Sequence, residues 1–277
     1  MADPLAAAPF PFAPDLFAGQ TALVTGGGSG LGRAIAEALA RAGADLLLAA
    51  RRVERCEAAA KQIAAATGRR VEAAFVNIRE RDSVEALEAR ARASFGRIDV
   101  LVNNAGGQFP QAARDFKPKG WNAVIDTNLN GTWNMTQVFG NRMLDGAGGV
   151  ITSIIAVVGR GFPGLAHTAA ARAGVLELVR TLAYEWGPKV RLNCVARGAV
   201  ATDGFKDTYD PTIAEVFEGI PLARYGTREE IANAVVFLSS RAASYITGEV
   251  LYVAGGQQNY GLNQALFDHQ LGKSKKE

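Results

Sequence analysis

A chain of 277 residues, 48% apolar and 21% charged, has the length and hydrophobic content for one large domain with a substantial core. Its 30 basic and 27 acidic side chains leave a formal net charge of +3, too small an excess to specify a nucleic-acid partner, and no apolar run is long enough to span a bilayer. Two cysteines far apart in sequence, Cys56 and Cys194, suggest neither a disulfide framework nor a metal site, and fit a reducing, cytoplasmic setting.

The opening segment, MADPLAAAPFPFAPDLFAG, is apolar, is broken by Pro4, Pro9, Pro11 and Pro14, and lacks a basic start. It reads as a flexible or surface-hugging leader over residues 1–18 rather than a secretory signal. From residue 20, TALVT (21–25), DLLLA (45–49), VEAAFV (71–76), DVLVN (99–103), GVITSI (149–154), VRLNCV (190–195) and EVLYVA (249–254) predict strands. Between them, GRAIAEALARAG (32–43), RCEAAAKQIAAA (55–66), SVEALEARARASF (83–95) and VLELVRTLAYEW (175–186) predict amphipathic helices. This alternation implies an α/β fold, a Rossmann-like doubly wound parallel sheet of about seven strands with helices on both faces. No linker divides residues 19–261, which form one domain. A substrate loop is expected near 197–226, where Gly198, Gly204, Pro211, Gly219 and Pro221 accumulate, and a solvated tail over 262–277.

TGGGSGLG (25–32) joins the first strand to the first helix. Gly26, Gly30 and Gly32 keep that turn tight and, with Gly28, Ser29 and Leu31, bring backbone N–H groups and a helix N-terminus to a pyrophosphate. A chain that binds NAD ends its second strand on an acid; here that position is Ala50, Asp45 lies at the other end, and Arg51 and Arg52 follow at once. Guanidinium groups there suit a 2′-phosphate, so the expected cofactor is NADPH.

The T-G-x-x-x-G-x-G spacing, LVNNAGG (101–107), DTNLNGT (126–132), RLNCVARGAVAT (191–202) and YITGEVLYVAGG (245–256) together resemble the short-chain dehydrogenase/reductase family over residues 18–256. The resemblance implies that Asn104, Ala105 and Gly106 support the adenine-ribose side of the cofactor, with Asn77 and Ile78 nearby. It also implies that Gly198, Val200 and Thr202 meet the nicotinamide end, and that Asn128 sits at a helix kink. Relatives are often tetramers, built through the helices near 118–143 and 165–187.

In most of that family a Ser, a Tyr and a Lys four residues after the Tyr form the reaction centre. Here the pattern before Ala173-Gly174-Val175 is Thr168-x-x-x-Arg172, and the serine position falls at Ile155 or Ala156. A Tyr titrates at about 10 and a nearby cation brings it within reach of neutral pH, whereas a Thr hydroxyl is a very poor acid. Arg172 holds ribose hydroxyls and supplies charge but does not shuttle protons. Alcohol oxidation needs a general base; reduction of an α,β-unsaturated thioester asks chiefly for donors near the thioester oxygen. LVNNAGGQF (101–109), GFPGLAHTAAARAGV (161–175) and LAYEWG (182–187) resemble the peroxisomal trans-2-enoyl-CoA and 2,4-dienoyl-CoA reductase subgroup, which implies an acyl-CoA or similar thioester substrate.

Thr168, Arg172, Asn128 and His167 are therefore the candidate catalytic residues, His167 because its ordinary pKa suits a proton donor near neutrality. Gln108, Phe109, Asn130 and Phe205 are the candidate substrate contacts, with Tyr209 and Phe217 suited to an apolar lid. Arg197 and Ala254 replace the Pro and Asp of two family motifs, and Arg197 faces a phosphate or caps a loop. The alternatives are a carbonyl reductase or alcohol dehydrogenase with an unusual acid, and a catalytically silent NADP-binding subunit.

Overall fold

The computed structural model describes residues 10–159, 161–200 and 220–259. In chain order they form β1 (Thr21–Thr25), α1 (Gly30–Arg41), β2 (Asp45–Ala50), α2 (Val53–Thr67), β3 (Val71–Phe75), α3 (Arg81–Phe95) and β4 (Val100–Asn103). There follow α4 (Pro118–Ile125), α5 (Gly131–Asp145), β5 (Gly149–Ala156), α6 (Ala166–Trp186), β6 (Val190–Arg197), α7 (Arg228–Ser239) and β7 (Val250–Val253). The seven strands pair in parallel in the order β3-β2-β1-β4-β5-β6-β7.

The strands are nearly continuous apolar runs because both sheet faces are covered. Their period of two divides them between two core layers. Ala22, Val24, Leu46, Leu48, Val100 and Val102 pack beneath α1, α2 and α7, while Leu23, Leu47, Ala49 and Leu101 pack beneath α3, α5 and α6. Each predicted strand is present within two residues of its expected ends.

One expectation needs correction and another is narrowed. Helix α6 begins at Ala166 rather than at residue 175. Its first turns, AHTAAARAG, carry small residues instead of an apolar stripe, so periodicity does not mark them. They are placed by packing: Gly174 lies close against Leu129, where an added Cβ would come within 3.1 Å of its side chain. The second concerns the leader. Of the two alternatives, flexible or surface-hugging, residues 10–18 take the second: most are exposed or half-buried, while Phe17 is fully buried in the first core layer and donates its N–H to Ala42 O at 2.8 Å. Phe10, Phe12 and Leu16 join it, and the Arg41 guanidinium sits 4.3 Å over the Phe10 ring. Burying that much apolar surface outweighs the cost of ordering a short segment. The remainder of the leader, the tail over 262–277 and residues 201–219 of the expected loop lie outside the described residues, as do Thr202, Phe205, Tyr209 and Phe217.

Candidate active site

Between β1 and β4 the strand order reverses, and a crevice opens beyond the C-terminal strand ends, where such sheets bind ligands. One side chain fixes its floor. The Thr25 hydroxyl donates to Val102 O and accepts the N–H groups of Asn104 and Ala105, while Asn104 Nδ2 donates to Thr25 O. Glycine is obligatory at residue 32, since a Cβ there would lie 2.3 Å from Gly26 O. The loop's closeness to the first turn of α1 depends on it.

Two cavities occupy the crevice. One, of about 570 Å³, is bordered by the Gly26–Gly32 loop, Ala50, Arg51, Arg52, Asn77, Ile78, Ala105 and Thr127. The other, of about 680 Å³, extends past Gln108 to Ile154, Ile155, Ala156, Arg172 and Arg197. They share Ser29, Leu31, Arg52, Arg55, Asn104 and Gly106, and so form one trough. Among the described residues its charged lining consists of arginines: Arg51, Arg52, Arg55 and Arg79 in the first part, Arg172 and Arg197 in the second. No Asp, Glu, Tyr, Lys or His borders either part among those residues.

Sequence reasoning passed over Arg55 and Arg79. A signal for Arg55 was available: Arg52 caps α2 and Arg55 lies in its first turn, where the helix dipole favours acids. Cations placed against the dipole point to an anion held between them. Asp45, at the opposite end of β2, is bound by Arg69 at 2.7 Å and lies away from the trough. The glycine cradle, the helix N-terminus and this all-cationic lining fit a dinucleotide that carries phosphates. Gly26, Gly28, Ser29, Gly30, Leu31, Gly32, Arg51, Arg52, Asn77, Ile78, Asn104, Ala105, Gly106 and Arg172 all border the trough. Asn77 also makes a local turn, its Nδ2 donating to Glu80 at 2.5 Å. Gly198 and Val200 stand back from it: Gly198 N–H donates to Val253 O, and Val200, buried, pairs with Gly226.

At the far end, α4 and α5 are joined through a π-helical segment, Asp126–Asn130, an irregularity often found at functional sites. It carries the buried Asn128, which does not itself border the trough, against Gly107, whose two backbone groups its amide holds (N–H to Oδ1 at 3.0 Å, Nδ2 to O at 2.9 Å). Arg172, on the second turn of α6, donates Nη1 to Ile154 O at 2.9 Å and Nη2 to Asn128 Oδ1 at 3.3 Å. It is half-buried in the cavity wall. Burial first, then the neighbouring Arg197, bring its pKa down to about 10, which leaves it charged at neutral pH.

Thr168 and His167 sit differently from their expected roles. Both are buried and neither borders the trough. Thr168 donates its N–H to His167 Nδ1 at 2.7 Å, and its hydroxyl lies 3.3 Å from the same nitrogen. Nδ1 is thus the acceptor and the ring proton rests on Nε2, which is buried without a hydrogen-bond partner. The ring packs between Phe109 at 4.8 Å and Phe116 at 4.5 Å. The expectation of a near-neutral proton donor is corrected accordingly: burial lowers the His167 pKa and keeps the imidazole neutral. Phe109 belongs to this aromatic group and not to the trough lining, whereas Gln108 borders the trough. Asn130 is exposed and donates to Asp126 at 2.9 Å.

The comparisons with known proteins agree with this arrangement. Residues 26–258 match a family model described as enoyl-(acyl carrier protein) reductase. The chain is 39% identical over 251 residues to the peroxisomal 2,4-dienoyl-CoA reductase of Danio rerio, covering 88% of this chain and 83% of that protein. It is likewise 39% identical over 243 residues to the 3-oxoacyl-[acyl-carrier-protein] reductase FabG of Chlamydia muridarum, covering 87% of this chain and 98% of that one. Among solved structures, a gluconate 5-dehydrogenase from Burkholderia cenocepacia in complex with NADP and tartrate superposes with a TM-score of 0.85 at 30% identity, covering 89% of this chain and 99% of that one. With its parallel seven-stranded sheet, its glycine cradle at the β1–β4 switch point and these relatives, the chain belongs to the short-chain dehydrogenase/reductase family of nicotinamide-dependent oxidoreductases.

Proposed function

We propose that this protein is an NADPH-dependent reductase of α,β-unsaturated acyl thioesters of the enoyl-CoA type. The observation that carries the reading is the lining of the trough, which is rich in fixed positive charge and holds no proton-shuttling side chain among the described residues. A relative of matching length is named a 2,4-dienoyl-CoA reductase, which supports the same chemistry. Arg51, Arg52 and Arg55 hold the 2′-phosphate and pyrophosphate, and Arg172 with Asn128 orients the nicotinamide ribose. When bound, the dihydronicotinamide supplies a hydride equivalent. The residues at the far end then have one main task, to stabilise negative charge on the thioester oxygen, because Cα can take its proton from solvent. Thr168 and His167 act from behind, as a buried pair that positions the start of α6. Assembly as a homotetramer through α5 and α6 accompanies the reading; Tyr184 on α6 is 92% exposed in the single chain.

A second reading, a 3-oxoacyl reductase, is favoured by the likeness to FabG. Following NADPH and NADH consumption with trans-2-enoyl-, 2,4-dienoyl- and 3-oxoacyl-CoA separates the cases. Turnover of the enoyl or dienoyl substrates with NADPH is expected. Turnover of the 3-oxo substrate alone replaces the proposal with carbonyl reduction. Tight NADPH binding with no turnover of any of the three turns it into a silent cofactor-binding subunit.

A further inference from the structure

The segment that leaves the reaction end of the trough carries a group of cations that the site described above does not use. Gln108 borders the trough, and from Phe109 onward the chain turns away into the aromatic group. Phe109 lies 5.9 Å from Phe116, and Phe116 meets the Trp121 ring edge-on at 6.2 Å, so two ring spacings separate Trp121 from the residue that follows Gln108. The Gln111 N–H donates to Gly164 O at 2.8 Å and its Nε2 to Asp115 O at 2.7 Å, which fixes the segment to the loop before α6. On this anchored frame Arg114, Lys117 and Lys119 are exposed, and among the described residues none of their side chains makes a hydrogen bond or ion pair. Asp115 is the one acid between residues 109 and 121. Lys117 caps α4 and Lys119 stands in its first turn, where the helix dipole disfavours cations, so these charges do not serve the stability of the helix. Trp121, one turn on from Lys117, leaves 36% of its surface exposed beside them.

We propose that this surface is the carrier subsite of the enzyme, where Arg114, Lys117 and Lys119 bind the phosphates of coenzyme A and Trp121 stacks on its adenine. The inference rests on the enoyl-thioester reading and names the carrier on which the thioester arrives. With the unsaturated acyl group at the reaction end of the trough, its carrier has to leave past one of the trough walls, and the Gln108 wall leads directly onto this segment. The flexible pantetheine arm joins the thioester to a diphosphate, a 3′-phosphate and a purine. Uncommitted cations answer the phosphates, and an exposed indole beside them answers the purine face. A protein carrier buries roughly 20–30 residues a side, far more than one short segment supplies, so the nucleotide is the occupant this surface fits.

The test compares carriers. One trans-2-enoyl group is presented on CoA, on N-acetylcysteamine, which has no nucleotide, and on an acyl carrier protein, with NADPH saturating. The proteins are the native chain, a triple variant (Arg114→Ala, Lys117→Ala, Lys119→Ala) and Trp121→Ala. For the CoA substrate, KM is expected to rise about tenfold or more in the triple variant and about fivefold or more in Trp121→Ala, with kcat near native. For the N-acetylcysteamine substrate, kcat/KM is expected to stay native in the triple variant, which a merely structural role would not allow. An unchanged KM for the CoA substrate in the triple variant overturns the inference and leaves the thioester reading standing. Equal losses on CoA and N-acetylcysteamine also overturn it, by making the segment a support of the reaction end. A loss confined to the acyl carrier protein overturns it in favour of a protein partner. A native protein that reduces none of the enoyl thioesters sinks the thioester reading, and this inference with it.

Discussion

An alanine at Gly106 places a methyl group 2.2 Å from Nη2 of Arg172 and 2.7 Å from Oδ1 of Asn128. Ordinary contact begins at 3.4 Å, so the guanidinium must retreat by about 1.2 Å and the amide by about 0.7 Å. The bond between them is 3.3 Å long and has no slack to absorb that movement. A hydrogen bond to a charged group contributes about 1.5–3 kcal/mol net, so its loss corresponds to roughly a 10- to 150-fold effect on any step that depends on the guanidinium's placement. The assay is kcat/KM for NADPH-dependent reduction of a 2-enoyl-CoA, measured for the native protein, Gly106→Ala, Arg172→Met and the double variant. Because Gly106 is argued to act through Arg172, the alanine is expected to add little once the guanidinium is gone. Effects that add in full in the double variant would refute the placement of Arg172 over Gly106 as the reason for the glycine.

Arg51→Ala with Arg52→Ala is expected to weaken NADPH binding by about tenfold or more while leaving NADH binding nearly unchanged, measured by fluorescence titration; equal losses for both cofactors would remove the 2′-phosphate role. Thr168→Val is expected to lower turnover by less than about tenfold, since its hydroxyl meets His167 and not the trough. His167 makes stability depend on pH. Its folded pKa lies below the ordinary value, so the unfolded chain binds more protons, and stability falls as pH drops through about 6.5. Thermal midpoints of the native protein and His167→Asn should diverge above that pH and converge below it; parallel curves would deny His167 this part. Phe17→Ala is expected to cost about 3–5 kcal/mol in chemical denaturation, and a cost under about 1 kcal/mol would return residues 10–18 to the status of a loose leader.

The sequence alone determined the sheet, because parallel strands covered on both faces must be apolar throughout and the helices between them carry a 3.6-residue stripe. It also determined the phosphate loop and the choice of arginines over an acid after β2, since both are local patterns in TGGGSGLG and Ala50-Arg51-Arg52. Whether Phe17 belongs to the core was not legible, because burial depends on the surface that α1 and the strand ends offer to it. Nor was the start of α6 legible, where alanines carry no stripe and contact with Leu129 holds the helix in place. The reaction end depended most on tertiary structure. His167 is a neighbour of Arg172 in sequence, yet its ring enters the aromatic group around Phe109 and Phe116 while Arg172 borders the trough. Arg197, which sequence reading left between a phosphate contact and a loop cap, reaches the same cavity only because β6 runs in register beside β5. Spacing along a chain specifies which side chains share a helix face or a strand face; which faces converge on one cavity is decided by how the elements pack.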